Sequence, residues 1–178
     1  MKKTRFQSTR CPVARSLDHV GEWWNILILR DAFYGLSRFD DFQKSLGIAP
    51  NMLTRRLNEL VESGLLERRA YSEKPLRHDY LLTECGRDFR PVLLTLMDWG
   101  NRHFTPEGTS VFLADKADDS PVELQLIDAR SGMPISRERH AVRPGPAADE
   151  ALHQRLDNGR RRRAERDIHQ SSTPVTLP

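Results

Sequence analysis

The chain has 178 residues, of which 38% are hydrophobic and 30% charged, with a formal net charge of +3 and a pI of about 9.1. This length suffices for one globular domain of roughly 100 residues with an appended segment. The mildly basic balance permits a nucleic-acid partner without indicating one by itself. The two cysteines are too few for a disulfide framework. No stretch reaches the roughly 18 apolar residues of a membrane span, so we expect a cytoplasmic protein that is neither secreted nor membrane-inserted.

Three helices are predicted in the first part of the chain, after a flexible basic arm at residues 1–10. Residues 12–20 form the first helix, with a proline at its first position. Residues 22–33 form the second, which is apolar on more than one face and is therefore expected at the centre of the core. Residues 38–46 form the third, and Gly47 then turns the chain into a fourth helix.

The fourth helix begins at Pro50, where the missing N–H of proline is not needed, and ends at Gly64, which is suited to a left-handed cap. One side of it is an apolar stripe formed by Leu53, Leu57, Leu60 and Val61. The opposite side carries hydroxyl, amide and guanidinium groups from Asn51, Thr54, Arg55 and Asn58. The short Gly-containing turn between the third and fourth helices predicts a helix-turn-helix.

Two strand-like segments follow, residues 65–71 and 76–82, with a basic turn at residues 72–75. A helix-turn-helix followed by a basic-tipped hairpin is the order of a winged helix, so the fold class predicted is mainly α with a small β-hairpin wing. In such a fold the fourth helix enters the major groove of DNA. Lys74, Arg77 and His78 on the wing would then lie against phosphate or the minor groove.

A further helix is predicted over residues 84–103, with Thr83 as its side-chain cap. Pro91 lies inside this span, so the helix either bends there or begins later. Its apolar face consists of Phe89, Val92, Leu93, Leu96, Met97 and Gly100, with Trp99 beside it. Since the winged helix is complete without this helix, its apolar face is expected to bury against a second copy of the chain.

The composition changes at residue 105. Residues 105–178 hold seven of the eleven prolines and no tryptophan or tyrosine. Within a Pro-rich extension over residues 105–156, strand character at 122–128 and 135–142 predicts a small hairpin, and residues 149–156 one or two helical turns. Residues 157–178, with an arginine run at 160–163, are predicted to be a basic disordered tail.

Residues 11–104 carry a combination of short motifs, which comprises Cys11-Pro12-Val13, Trp24, Ile28-Leu29-Arg30-Asp31, Arg38-Phe39, Leu46-Gly47-Ile48, Leu53, Arg56-Leu57, Leu60, Gly64-Leu65 and Tyr80-Leu81-Leu82-Thr83. This combination strongly resembles the HxlR family, bacterial winged-helix transcription regulators related in fold to the MarR family. The resemblance implies a homodimer with terminal helices at the interface and one winged helix on each half-site of the operator DNA. Ala49 departs from the pattern, because many members have a capping Ser or Thr there.

Cys11 precedes Pro12 at a helix N-terminus beside Arg10 and near Arg15, which favours its thiolate if the thiol is accessible. Some members of the family resembled sense oxidants, aldehydes or quinones through a cysteine at this position. The other interpretation is a small buried apolar side chain, which is how free cysteines usually behave. An effector, either a small molecule or an electrophile, is therefore left open. Cys85 is assigned a structural role.

Two classes of function remain. The first is a sequence-specific DNA-binding regulator acting on double-stranded DNA, predicted to be a repressor. The second is a winged-helix module that binds protein and not DNA. The exposed polar face of the fourth helix and Lys74 favour the first class, because a protein-binding wing would carry apolar residues. The predicted DNA contacts are Asn51, Thr54, Arg55, Arg56, Asn58, Lys74, Arg77 and His78.

Motifs for other chemistry are missing from the sequence. The six histidines include no pair at helical metal-ligand spacing, and there is no Cys-x-x-Cys. No nucleophile elbow, phosphate loop or dinucleotide glycine pattern occurs either. We therefore expect no metal and no cofactor, and we do not expect an enzyme, since Cys11 lacks a partnered His and Asp.

Overall fold

The computed structural model describes Phe6 and residues 8–171. The chain divides into two compact units, one made of residues 16–126 and the other of residues 1–15 together with 127–178. The domain boundaries predicted from composition, after residues 10, 104 and 156, remain predictions. The first unit consists of helices and one antiparallel hairpin, which confirms the predicted fold class.

The helices of the first half lie close to their predicted positions. They are α1 (Pro12–Val20), α2 (Trp23–Phe33), α3 (Phe39–Leu46) and α4 (Pro50–Glu62). Helices α2, α3 and α4 share one core with the start of the hairpin. Its fully buried apolar side chains are Ile28, Leu29, Phe42, Leu53, Leu57, Leu60 and Leu66. Each such side chain contributes about 1.5–3 kcal/mol relative to an exposed one, so this core holds α4 in place.

Both ends of α4 follow from its sequence. Ala49 occupies the N-cap position and makes no side-chain cap bond, as expected, while Pro50 takes the first helical position. At the other end Gly64 has φ +70°, and the N–H of Leu65 donates to the carbonyl of Leu60 at 3.0 Å. This left-handed cap satisfies the last carbonyls of the helix and directs the chain into the hairpin.

The wing is the hairpin of β1 (Leu66–Glu73) and β2 (Leu76–Leu82), joined at Lys74 and Pro75. An irregularity lies between Ala70 and Ser72, and the N–H of Tyr80 donates to the carbonyl of Ser37 at 2.7 Å. The Ser37 hydroxyl also donates to Asp79 Oδ1 at 2.8 Å. The turn before α3 therefore anchors the base of the wing.

The predicted helix over residues 84–103 is two helices, α5 (Glu84–Asp88) and α6 (Arg90–His103). The Thr83 hydroxyl accepts a bond from the N–H of Gly86 at 3.0 Å, so the predicted cap is confirmed. The helix is interrupted at Phe89, and Pro91 lies in the first turn of α6, where proline is tolerated. The sequence left open whether the helix bends at Pro91 or begins later, and the structure shows that the long helix begins later, at Arg90.

The second unit has little sheet. Its hairpin consists of β3 (Ile127–Asp128), at the end of the strand predicted at 122–128, and β4 (Met133–Pro134), which precedes the strand predicted at 135–142. No strand forms within residues 135–142, so the predicted hairpin is present but its second strand lies earlier in the chain. The turn between the two strands is formed by residues 129–132. In it the Ser131 hydroxyl and the Arg130 N–H donate to the Asp128 carboxylate, which hold the pKa of that carboxyl below its ordinary value.

Residues 157–171 are helical and not disordered, which differs from the prediction. They complete α7 (Glu150–Ser171), and residues 172–178 lie outside the described part. The Asp149 carboxylate accepts a bond from the N–H of Leu152 at 2.9 Å and so caps the helix start. Arg160 pairs with Asp157 and Arg162 with Glu165, both at i,i+3. Such pairs stabilise a polar helix that composition alone assigns to disorder.

Candidate nucleic-acid interface

The exposed face of α4 is where the sequence predicted it. Asn51, Thr54 and Arg55 are exposed and Asn58 is half-buried. Asn51 Oδ1 accepts a bond from the N–H of Met52 at 2.8 Å, and the Thr54 hydroxyl donates to the carbonyl of Pro50 at 2.9 Å. These contacts tie two polar side chains to the first turn of the helix, so this face is partly organised by bonds within α4.

Arg55 is the most exposed cation of this face. Its side chain is 60% exposed, and its Nε lies 3.3 Å from Glu59 Oε1 at i,i+4. A pair of this kind on a helix surface is worth only a few tenths of a kcal/mol. Breaking it to reach a base edge or a phosphate would therefore cost little.

Arg56 belongs to the core side of α4 and not to the exposed face, which corrects its assignment as a DNA contact. The residue is 5% exposed, with NH1 2.7 Å from Glu59 Oε2 and NH2 3.0 Å from Glu22 Oε2. One residue along a helix turns the side chain by about 100°, which takes Arg56 from the polar side to the edge of the leucine stripe. We assign it the structural role of linking α4 to the residue that precedes α2.

Two basic residues of the wing, Arg77 and His78, lie near the start of α3. Lys74 and Arg77 are exposed and His78 is half-buried. Arg77, His78, Arg38 and Tyr71 are among the side chains that line a cleft of about 300 Å³. The sequence therefore placed the basic wing residues on one element, and the structure brings Arg77 and His78 together in this cleft.

Arg38 is a basic residue of this region that the sequence did not predict as a contact. Its guanidinium carbon lies 4.5 Å from the centroid of the Tyr71 ring, and its Nε lies 3.6 Å from Asp79 Oδ1. These partners are more than thirty residues away in the sequence. No local pattern reports them, although Arg38 was among the residues that carry the family resemblance.

Cys11 is half-buried at the start of α1. Its carbonyl accepts the first helical bond, from the N–H of Arg15 at 3.1 Å, which fits the predicted cap position. Its own N–H donates to the Thr9 hydroxyl at 3.3 Å, and Arg15 Nε donates to the Thr9 carbonyl at 2.6 Å. The Arg15 side chain is thereby held beside the chain segment that leads into Cys11.

Two other kinds of feature are absent from the part of the chain that the structure describes. No group of three or more His, Cys, Asp or Glu side chains is arranged there to hold a metal ion. None of the helices there combines the length and the apolar composition needed to cross a membrane.

Residues 19–108 match the family model of the HxlR-like helix-turn-helix. The chain belongs to the HxlR family. An uncharacterised HTH-type transcriptional regulator of Mycobacterium tuberculosis, Rv3095, is 41% identical over 135 residues, which cover 75% of this chain and 85% of that relative. Like other HxlR proteins, this chain is thus a transcriptional regulator with a DNA-binding helix-turn-helix.

Two solved structures extend the likeness beyond the HxlR core. PA1374, a candidate transcription factor from Pseudomonas aeruginosa, is 54% identical with a TM-score of 0.59, and the match covers 82% of this chain and 100% of that chain. PA1607, also a candidate transcription factor, is 40% identical with a TM-score of 0.72, covering 80% of this chain and 100% of that chain. Both matches cover a larger fraction of this chain than residues 1–108 make up. The segment after the HxlR core is therefore partly shared with these chains.

Proposed function

We propose that this HxlR protein binds a specific operator sequence as a homodimer and represses transcription from it. The observation that carries the proposal is the exposed face of α4, which presents amide, hydroxyl and guanidinium groups next to a basic wing. Helix α4 enters the major groove, where Arg55 contacts a guanine bidentately and Asn51 contacts an adenine edge or a phosphate. Thr54 and Asn58 bind a base edge or a phosphate.

The wing serves a different purpose in this proposal. Lys74 and Arg77 contact phosphates, and His78 and Arg38 lie in the same basic region. Contacts of this kind fix the position of the protein on the duplex and carry no sequence information of their own. Repression is the simpler outcome, because occupying promoter DNA suffices for it, whereas activation requires a further contact with the polymerase.

The homodimer is proposed on the apolar surface of α6. None of its residues is buried within the chain, and Val92, Leu96 and Trp99 are 53%, 42% and 47% exposed. These three side chains lie at i, i+4 and i+7 and thus share one face. A second copy of the chain would cover them and place two α4 helices on two half-sites.

Selecting DNA from a random pool with the purified protein tests this function. We expect enrichment of one sequence that contains two inverted half-sites, with centres about 10 base pairs or a multiple apart. If no sequence is enriched while the protein is folded, DNA reading by α4 is contradicted. That result would favour the alternative, a winged-helix module that binds protein.

We further propose that the regulator responds to electrophiles and oxidants through Cys11. The support is its position at the start of α1, with Arg15 held nearby. In addition, some HxlR members sense oxidants or electrophiles through a cysteine at this position. A thiolate there adds to the double bond of a quinone or a maleimide, forming a carbon–sulfur bond while the neighbouring carbon takes up a proton. The added group disturbs α1, which the family resemblance assigns to the dimer interface.

Treatment with N-ethylmaleimide separates Cys11 from the exposed Cys85. We expect the wild type and Cys85→Ser to lose affinity for the selected DNA on treatment, and Cys11→Ser to keep it. Mass spectrometry confirms which thiol is alkylated. An equal loss in Cys11→Ser, or no reaction at Cys11 in the folded protein, would remove the case for sensing.

A further inference from the structure

The unit of residues 16–126 contains an apolar cleft that the DNA-reading elements do not use. Its volume is about 390 Å³, within the usual range for a small-molecule site. Side chains of α2 and α6 form two of its sides, including Leu27, Phe33, Leu94 and Met97. Residues 110–113, which follow the matched HxlR core, form the third side.

The third side is held in place by two hydrogen bonds. Asn101 Nδ2 on α6 donates to the carbonyl of Val111 at 2.8 Å, and the N–H of Val122 donates to the carbonyl of Leu113 at 2.8 Å. Phe112 lines the cleft although it is 52% exposed. The start of the extension therefore has a structural task, since without it this cleft would be an open surface of α2 and α6.

Two arginines lie at this cleft, and they differ in their charge balance. Arg30 on α2 is paired with the buried Asp31, with NH2 2.8 Å from Oδ1, so its charge is compensated inside the protein. Arg90, the first residue of α6, is exposed and lines the cleft. Its charge favours an anionic group beside it in a site lined mostly by apolar side chains.

The cleft and the face proposed for the homodimer are neighbours on α6, and they meet at Leu96, which also lines the cleft. With about 100° between successive residues, Val92 and Trp99 point to one side. Arg90, Leu94 and Met97 point roughly to the opposite side, and all three line the cleft. A second copy seated on Val92 and Trp99 thus reaches the edge of the cleft at Leu96 and leaves the side lined by Arg90, Leu94 and Met97 to another occupant.

We propose that this cleft binds an organic acid that has an aromatic or branched apolar body and one anionic group. The body lies among the side chains of α2, α6 and residues 110–113, and the anionic group meets Arg90. The binding site stands on this geometry alone. Its use as an effector site rests on the proposed function. The binding assay contains no DNA, so a failure of the binding site is distinguishable from a failure of the proposed DNA-binding function.

Two fluorescent probes that share an apolar body and differ in charge test the proposal on the full chain. The anion is 8-anilinonaphthalene-1-sulfonate, and N-phenyl-1-naphthylamine is its neutral counterpart. Both are expected to bind the dimeric protein with one site per chain. Arg90→Gln should weaken the anion about tenfold, the size of one hydrogen bond to a charged group, and leave the neutral probe unchanged.

Matched controls separate the cleft from the rest of the surface. Arg102→Gln removes a positive charge from the same helix, at a residue that does not line the cleft, and should change neither probe. Phe112→Ala should weaken both probes about fivefold through lost apolar contact. Phe104→Ala, at a 64% exposed phenylalanine that does not line the cleft, should weaken neither.

Three results would overturn the proposal. One is equal weakening of the anionic probe by Arg90→Gln and Arg102→Gln. Another is the absence of binding by both probes. The third is binding that appears only when dilution produces monomers, which would mean that a second copy of the chain occupies the cleft.

Discussion

Helices α4 and α6 are both amphipathic, yet they use their apolar sides differently. In α4 the apolar stripe is covered within the chain, and Leu53, Leu57 and Leu60 have no exposed area. In α6 no residue is buried, and Val92 and Trp99 remain about half exposed. Periodicity therefore predicts an apolar face, but only the packing of the chain reveals whether that face serves the fold or a partner.

The largest effect is expected from a substitution on the buried side of α4. Arg56→Ala should lower the free energy of unfolding by about 3 kcal/mol, the lower end of the range for breaking a buried ion pair. The loss is not larger because Glu22 and Glu59 are partly solvated, with side chains 36% and 22% exposed. Urea denaturation measures it. Arg55→Ala, the matched control on the exposed side, should change stability by less than about 0.5 kcal/mol.

Charged substitutions on the exposed apolar side of α6 should weaken dimerisation and leave the fold intact. Replacing Val92 and Trp99 by lysine places two charges on the proposed interface and should raise the dimer dissociation constant by about 100-fold or more, because charges are buried without partners. Sedimentation velocity at micromolar concentration measures the change, and circular dichroism confirms that the helices remain. A wild type that is already monomeric under these conditions would refute the assignment of α6 to the interface.

How much of this the sequence could predict depends on how local the signal is. Pro50, Gly64 and Thr83 mark the ends of their elements through bonds made within a few residues, and these predictions are confirmed. Arg56 was misassigned because its partner Glu22 lies 34 residues away. The helix over residues 157–171 was not predicted because the polar composition of this segment indicates disorder and does not show the i,i+3 pairs that stabilise the helix.

A smaller effect is expected at the wing. Lys74→Ala should weaken binding to all duplexes by less than about 1 kcal/mol, because it removes one phosphate contact. The slope of log affinity against log salt should fall by about 0.9 for that contact. Anisotropy titrations over a salt series measure both quantities. A loss confined to the selected sequence would show that Lys74 reads bases.

The smallest effect is expected from removing residues 157–178. The shortened protein loses the arginine run at 160–163, so its affinity for any duplex should fall by a few-fold at low salt and less at high salt. The preference for the selected sequence should be retained, because α4 and the wing are intact. A folded truncated protein that loses this preference would show that the tail takes part in specific reading.

The most direct test of the central claim is the anisotropy of Arg55→Ala on the selected duplex and on a scrambled duplex of equal length, with Lys74→Ala measured beside it. If α4 reads bases through Arg55, the variant loses about 1–3 kcal/mol on the selected duplex, loses little on the scrambled one, and tolerates any base at one position of each half-site. Equal losses on both duplexes, as expected for Lys74→Ala, would contradict base reading by Arg55.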